Sequence, residues 1–134
     1  MSKTKLVVEY DYDFCLIGIV CHEKDYRLCW TLNNALQINL SKKDDHNTGN
    51  SLHSLFHYNQ ELLFREYYLV ANRGNTGMLV EDHRQVDYFF IVRGEVGEDE
   101  QRLFLDQFKQ IVMVSAAYAM DANVLKSKHN LIFE

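Results

Sequence analysis

Two segments of this chain are apolar on both sides, and this pattern restricts the fold more than any other feature. Residues 66–72 read EYYLVAN and residues 86–93 read VDYFFIVR, and both are rich in aromatic and β-branched side chains. A strand with one face in water alternates between polar and apolar residues, whereas a strand covered on both faces does not. The two segments therefore predict interior strands of one sheet.

A meander of strands is predicted around them. Residues 36–42 alternate between apolar and polar side chains, which predicts a half-buried strand. Residues 51–59 predict a second strand, and the polar cluster at 41–51 is interpreted as the turn of a hairpin. From residue 36 to residue 93 the pattern therefore predicts an antiparallel meander.

The C-terminal part of the chain predicts a helix followed by a strand. Residues 99–111 place Phe104, Phe108 and Ile111 at helical spacing, after acidic residues that suit a helix N-terminus. Residues 112–120 alternate with a period of two, which favours a further strand. Because the chain contains no proline, the helix could instead continue through the alanines.

The N-terminal third is apolar without a clear period. Residues 14–21, FCLIGIVC, are apolar on every side, and such a run suits either a buried helix or a buried strand. We interpret it as a helix capped by Asp11 or Asp13, followed by a second helix over residues 24–36. The predicted fold is α+β, a single domain over residues 1–134. It consists of an antiparallel meander sheet of about five strands, with N-terminal helices and one later helix packed on it.

Charge and cysteine content exclude several classes of function. The formal net charge is −5, whereas broad binding to nucleic acid or to an anionic membrane needs clustered Lys and Arg. A local patch around Lys126 and Lys128 could still bind RNA, but nucleic acid is not the expected partner. The three cysteines form no CxxC pair, no signal-like segment opens the chain, and no apolar run approaches the roughly 20 residues that span a bilayer. The sequence predicts a cytoplasmic protein with no membrane partner.

No set of residues completes a catalytic or metal-binding pattern. His53 and His57 would lie on one solvated strand face, about 13 Å apart along the strand, which is too far for one metal ion. If the segment were instead a helix, their i, i+4 spacing would suit a metal. Cys21 and His22 are adjacent in the chain, and adjacent side chains rarely point at each other, so a cysteine nucleophile is not expected. We predict no catalytic residue, no metal and no cofactor.

Three motifs make the chain similar to a bacterial family called IPExxxVDY. They are KDYRLCW at residues 24–30, VDY at residues 86–88 and LKSKHNLIF at residues 125–133. The resemblance extends over nearly the whole length of the chain.

The naming motif of that family maps onto residues 80–88, VEDHRQVDY, which we call the signature segment. Its first half is altered, since Glu81 stands at the proline position and Asp82 at the glutamate position, while VDY is unchanged. The family consists of small proteins without a settled activity. The resemblance therefore implies a single-domain bacterial cytoplasmic protein and assigns no catalytic or binding residue.

We expect a non-enzymatic interaction module, because no catalytic pattern is complete and because the predicted sheet is apolar on both faces. A sheet face that the chain's own helices leave uncovered would be closed by a protein partner, and a homodimer is the default form of such closure. The final residues 131–134, LIFE, are apolar enough to dock on a sheet edge, either of this chain or of a neighbour.

The alternative is a small enzyme or ligand-binding protein with a pocket between the N-terminal helices and the sheet. Asp13, Trp30 and Tyr88 are the residues expected at that pocket. Together with Asp82 and Asp87 of the signature segment, they form the candidate surface for a ligand or a partner.

Overall fold

A computed structural model describes residues 11–133 of the protein. Six antiparallel strands form one sheet in the order β2-β3-β4-β5-β1-β6, and two helices pack on it. The elements are β1 Cys15–Cys21, α1 Asp25–Leu36, β2 Ser41–Asn47, β3 Leu52–Gln60, β4 Arg65–Ala71, β5 Tyr88–Arg93, α2 Glu98–Lys109 and β6 Val114–Met120.

The predicted meander is confirmed for the part of the sheet that runs from β2 to β5. Each of these strands pairs antiparallel with the next strand along the chain. The two segments that are apolar on both sides form β4 and β5, and both lie inside the sheet. Leu69 and Phe90 are fully buried on one face, and Val70 and Phe89 on the other.

The helix predicted over residues 14–21 is wrong, because this segment forms β1. The strand lies between β5 and β6, so the sheet has six strands rather than five. Both faces of β1 are buried, which is why the segment is apolar on every side and gives no strand period. At its centre, a Cβ on Gly18 would come within 2.9 Å of Met120 Sδ and 3.1 Å of Val86, so glycine permits the close approach.

The strand predicted over residues 36–42 is also displaced. The last residue of helix α1 is Leu36, and Gln37 caps the helix with a φ of 56° in the left-handed region. Ile38 and Leu40 then pack on the core without forming a strand. Strand β2 occupies the first half of the polar cluster that had predicted a turn. In contrast, α2 and β6 are confirmed close to their predicted positions.

The two faces of the sheet are covered by different parts of the chain. Helices α1 and α2 cover one face, the helix-side face, where Phe108 of α2 packs edge-on against Phe90 of β5 at 5.0 Å between ring centroids. The helices therefore come from both halves of the chain, not from its N-terminal part alone. The opposite, loop-side face is covered by the loop 72–87 and by the C-terminal tail, residues 121–133.

The C-terminal tail lies on a face of its own sheet rather than on an edge. Leu131 is fully buried there, and the ring of Phe133 stacks on Tyr68 of β4 with 4.7 Å between centroids. His46 Nε2 of β2 lies 2.7 Å from the carbonyl oxygen of Asn130, which fixes the tail over the sheet. Within residues 11–133, no helix is long and apolar enough to cross a membrane.

Candidate functional site

The buried side chain of Asn72, directly after β4, makes three hydrogen bonds that hold the signature segment in place. Its Nδ2 donates to the carbonyl oxygens of His83 at 2.9 Å and Val86 at 2.8 Å, and its Oδ1 accepts from the backbone N–H of Val80 at 2.8 Å. Its backbone N–H also donates to the carbonyl oxygen of Asp87 at 2.9 Å. All polar groups of this side chain are therefore satisfied, and the signature segment is first a structural loop.

The side chains of Glu81 and Asp82, in the altered half of the signature segment, face solvent. Glu81 forms an exposed ion pair with Arg84 three residues later. Asp82 is exposed, and its side chain makes no hydrogen bond or ion pair with any residue between 11 and 133. Neither carboxylate lines a cleft with the other candidate residues.

The unchanged half of the signature segment lines a cleft of about 400 Å³ at the start of α1. Asp87 Oδ2 accepts a hydrogen bond of 2.8 Å from the backbone N–H of Cys21 and lies 3.8 Å from Nε2 of His22. The hydroxyl of Tyr88 donates to the carbonyl oxygen of Glu23 at 2.7 Å. The lining residues are Cys21, His22, Glu23, Ala71, Arg73, Asp87 and Tyr88.

The chemistry of this cleft favours binding over proton transfer. Burial, reinforced by nearby carboxylates led by Asp25, raises the pKa of Tyr88 far above neutral pH, so its proton stays in the bond to Glu23. Burial also raises the pKa of the Cys21 thiol, which disfavours the nucleophilic thiolate. What remains for a ligand is the Asp87 carboxylate beside the exposed side chains of His22 and Arg73.

Two of the five candidate residues, Asp87 and Tyr88, are therefore brought together, and the other three lie elsewhere. Asp13 accepts a hydrogen bond of 2.8 Å from Asn123 Nδ2 in the C-terminal tail. Trp30 is 69% exposed on the outer side of α1 and does not face the sheet. The expected pocket shared by Asp13, Trp30 and Tyr88 does not form.

The histidine face of β3 is covered by the loop and the C-terminal tail. His53, expected to be solvated, is fully buried, and its Nδ1 lies 2.9 Å from the carbonyl oxygen of Ala71. It pairs across the strands with His46 of β2. Burial lowers the pKa of both imidazoles. Within residues 11–133, no three His, Cys, Asp or Glu side chains are grouped so as to hold a metal ion.

A second cleft, of about 450 Å³, opens beside His57 on the loop-side face. His57 Nε2 lies 2.7 Å from Glu66 Oε1 on the neighbouring strand, a pairing that sequence spacing did not indicate. The ring of Phe133 forms one wall of the cleft. Nε2 of His57 is thus occupied by a hydrogen bond with the carboxylate of Glu66.

The three cysteines are buried and free. Burial raises the pKa of both Cys15 and Cys29 to about 11, so these thiols remain protonated near neutral pH. In these surroundings the three cysteines act as small buried apolar residues.

The connection between β3 and β4 exposes three consecutive apolar residues. We call residues 61–64 the β3–β4 tip. Leu62 is 93% exposed and Phe64 is 89% exposed, with Leu63 also exposed between them. Phe64 has a φ of 53°, in the left-handed region that bulky residues rarely adopt. This exposed tip was not predicted, although the sequence places three apolar residues directly after Gln60 and Glu61.

The two outer strands of the sheet differ in charge. Strand β2 reads SKKDDHN, whereas β6 reads VSAAYAM and contains no charged residue. A cleft of about 260 Å³ lies beside β6 on the loop-side face, between Tyr118 and Met120 of the strand and His83 and Gln85 of the signature segment. The sequence predicted a strand here but did not predict that it would be an edge.

Comparisons of the chain with protein-family models, with curated proteins and with solved structures find no match. What the protein does must therefore be inferred from its own surface. Three features stand out on that surface: the cleft at Asp87, the β3–β4 tip and the outer edge of β6.

Proposed function

We propose that this protein is a non-enzymatic cytoplasmic interaction module that binds a protein partner through the β3–β4 tip. The observation that carries the proposal is the near-complete exposure of Leu62 and Phe64. Single exposed apolar residues are common on protein surfaces, but adjacent large ones mark sites of association more often.

The backbone of the tip supports a role in binding rather than in folding. A side chain in the left-handed region costs roughly 1–2 kcal/mol, and glycine or asparagine would occupy the position of Phe64 at lower cost. Folding gains nothing in return from an aromatic ring that is almost fully in water. A strained and exposed apolar residue is a reasonable sign of function.

The tip is also held rigidly, which favours tight binding. Arg65, the first residue of β4, makes two hydrogen bonds of 2.5 Å to the carboxylate of Glu100 in α2. It donates a further bond of 2.6 Å to the carbonyl oxygen of Glu95. A Cβ on Gly94 would lie 2.7 Å from the carbonyl oxygen of Phe64, so the two loops pack closely. A preformed contact surface loses less entropy on binding.

The charge around the tip indicates the chemistry of the partner. Glu61 lies in the tip, Glu95 lies in the adjoining loop, and Glu98 and Asp99 begin α2 beside it, and all four are exposed. Such an acidic rim disfavours an anionic membrane or a nucleic acid. It is complementary to a protein that offers an apolar pocket surrounded by Lys and Arg.

Site-specific photo-cross-linking tests this proposal. A photoreactive amino acid at position 62 should give a covalent adduct with one protein in cells, and the same group at Val124, also exposed, should not. The identified partner, once purified, should bind the wild-type chain directly. Equal adducts at both positions, or no direct binding, would contradict the proposal.

The substitution Phe64→Asn separates binding from folding. Asparagine tolerates the left-handed region, so the free energy of unfolding should stay equal or rise by up to about 1 kcal/mol. The affinity for the partner should fall at least about tenfold, because a central aromatic contact is lost. Val124→Asn is the matched control and should leave the affinity unchanged.

A second candidate function is ligand binding at the Asp87 cleft, favoured by the convergence of Asp87, His22 and Arg73 there. Thermal-shift measurements with small carboxylates, phosphates and amines would test it. A ligand that raises the melting temperature of wild type but not of Asp87→Asn protein would support the site. No shift with any of the three classes would argue against it.

We also propose membership of the IPExxxVDY family. The buried Val80 and Val86 and the hydrogen bonds of Asn72 support it, because they give the first and second halves of the signature segment a common structural purpose. Asn72→Leu should then destabilise the protein by several kcal/mol, since three buried backbone groups would lose their partner. Chemical denaturation would measure the loss.

A further inference from the structure

We propose that the cleft beside His57, which we call the His57 cleft, binds an organic cation: an ammonium or guanidinium group on a short apolar stem. The cleft lies on the loop-side face, and the inference does not depend on the function proposed for the β3–β4 tip. Its size, its apolar walls and one carboxylate oxygen of Glu66 that no described residue binds point to this ligand.

The His57 cleft has the size and the walls of a small-ligand site. Its volume is about 450 Å³, within the roughly 300–1,000 Å³ of pockets that hold small molecules. Leu55 and Tyr68, which line it, are buried, and the ring of Phe133 forms a further apolar wall. An apolar lining of this kind suits the stem of a ligand, while the charged residues of the same cleft suit its end.

Glu66 of β4 supplies a carboxylate that is held in position but only partly used. His57 Nε2 lies 2.7 Å from Oε1 of Glu66, and the hydroxyl of Tyr68 donates to the same oxygen at 3.5 Å. Burial, reinforced by Glu66, raises the pKa of Tyr68, so this hydroxyl keeps its proton and remains a donor. Oε2 of Glu66 has no hydrogen-bond partner among residues 11–133, and the side chain is 46% exposed. A ligand can therefore reach a carboxylate oxygen whose orientation is already fixed.

No Lys or Arg among residues 11–133 forms an ion pair with Glu66. Arg93 of β5 lies opposite Glu66 in the sheet, but its guanidinium packs over the ring of Phe14, 4.7 Å from the ring centroid. It also donates to the carbonyl oxygen of Asp11 at 3.3 Å. The cation nearest to Glu66 in the sheet is thus engaged elsewhere.

The charges that line the cleft favour a cation over an anion. Asp44 and Glu66 contribute two carboxylates, whereas Lys43 contributes one ammonium group. Asp44 is exposed, and its side chain makes no hydrogen bond or ion pair with any residue between 11 and 133. A ligand with one positive charge balances this lining, and an anion would add to its excess negative charge. Beside apolar walls, the bond between an ammonium group and a half-buried carboxylate is stronger than in water.

The cation can come from two sources with the same chemistry. Glu66 is two residues from Phe64, roughly 7 Å along an extended strand, so a Lys or Arg of a protein bound at the tip would reach the cleft. A free amine of the cell is the other source. The site is tested first with small probes, and its source is tested separately.

Titrations of the full chain with n-butylamine, n-butylguanidine and n-butyrate, followed by two-dimensional NMR of the backbone amides, test the site. The two cations should bind and shift signals of β3 and β4, and butyrate should not. Glu66→Gln should weaken both cations at least about fivefold. Lys43→Gln should tighten them about twofold, since a like charge is removed. Asp82→Asn, which removes an exposed carboxylate outside the cleft, is the matched control and should leave both affinities unchanged.

The chain with a photoreactive amino acid at position 62 identifies the source. If the protein bound at the tip supplies the cation, Glu66→Gln should reduce the adduct severalfold and Asp82→Asn should not. An adduct unchanged by Glu66→Gln assigns the cation to a free amine. Absence of binding by either cation, butyrate that binds as tightly as the amines, or a folded Glu66→Gln protein with wild-type affinity would overturn the proposal. None of these three results depends on whether a partner binds the tip.

Discussion

The two outer strands of the sheet are of equal length, but they differ in charge and in exposure to solvent. Strand β2 carries Lys42, Lys43, Asp44 and Asp45 in succession, and its register against β3 is irregular between Lys43 and His46. Strand β6 is uncharged, and its register with β1 is regular from Leu16 to Val20 and shifts between Val20 and Cys21. The comparison shows that the fold protects one edge of its sheet with charge as well as an irregular register, and the other with an irregular register alone.

The physical basis of the difference is desolvation. A strand that adds to β2 would have to bring its own side chains against four charges that are now in water, and burying charge is costly unless each one finds a partner. Beside β6 an added strand meets only small or apolar side chains. Within residues 11–133 no strand pairs with the outer side of β6, and the backbone groups there could be paired at little electrostatic cost.

The largest expected effect comes from placing one carboxylate in each edge strand. Ala117 of β6 is buried beneath α2, so Ala117→Asp should lower the free energy of unfolding by about 3 kcal/mol. Lys43→Asp in the exposed β2 should change it by no more than about 0.5 kcal/mol. Urea denaturation measures both values, and equal losses would show that the two strands are not buried differently.

A second experiment removes the charge from β2 and so makes it resemble β6. Replacing Lys42, Lys43, Asp44 and Asp45 together by Thr leaves the net charge of the chain unchanged. Without these charges, the edge of β2 should pair with the same edge of a second copy. Light scattering should detect a mass that rises with concentration for this variant, measured against the wild type at the same concentrations.

The two edges should also respond differently to acid. Burial lowers the pKa of His46 and His53, so both are neutral in the folded protein at pH values where the unfolded chain already binds protons. Stability is therefore fully present above an unfolded pKa of about 6.5 and is lost as pH falls through that value towards the lower folded pKa. The loss is at most about 1.4 kcal/mol per pH unit for each proton.

Hydrogen exchange, corrected for the intrinsic rate, should show this loss at β2 and β3 between pH 7.5 and pH 5.5. Amides of β6 should stay protected to a similar degree, because no histidine or carboxylate lies in that strand. His46→Gln should reduce the acid sensitivity of β2. Equal loss of protection at both edges would instead indicate global unfolding.

The smallest effect is expected for the ion pair on β2. Lys42 Nζ and Asp45 Oδ1 are 2.9 Å apart, but both side chains are well exposed. Such pairs contribute about 0–1 kcal/mol, since water and salt screen them. Asp45→Ala should change the stability by less than about 0.5 kcal/mol by urea denaturation, and a larger loss would mean that the pair stabilises the edge.

The sequence predicts the interior of the meander well because β4 and β5 are constrained from both faces. Each needs apolar residues on both faces along its buried length, and only a strand between two layers combines that need with so many β-branched and aromatic residues. Strand β1 has the same environment, yet its run of residues suits a buried helix equally well. Only its pairing with β5 and β6 decides between the two, and that pairing is set by distant parts of the chain.

Strand β2 was not predicted at its actual position, for a different reason. An edge strand that is protected by charge has the composition of a turn, so the segment SKKDDHN gives no strand signal. Three of the candidate residues, Asp13, Trp30 and Asp82, lie apart from Asp87 and Tyr88. The sequence could not predict this, because the local sequence does not determine how their segments pack. Asp87 and Tyr88 were found together because they are neighbours in the chain.

The central position of β1 has a consequence for synthesis of the protein. Its two neighbours, β5 and β6, begin roughly 70 and 100 residues later in the chain. Translation adds about 5–20 residues per second, so β1 waits about 5–20 s for its second neighbour. During that time β1, the first of the described strands to leave the ribosome, is uncharged and lacks both of its neighbours in the sheet, which makes it a segment that a chaperone would be expected to bind.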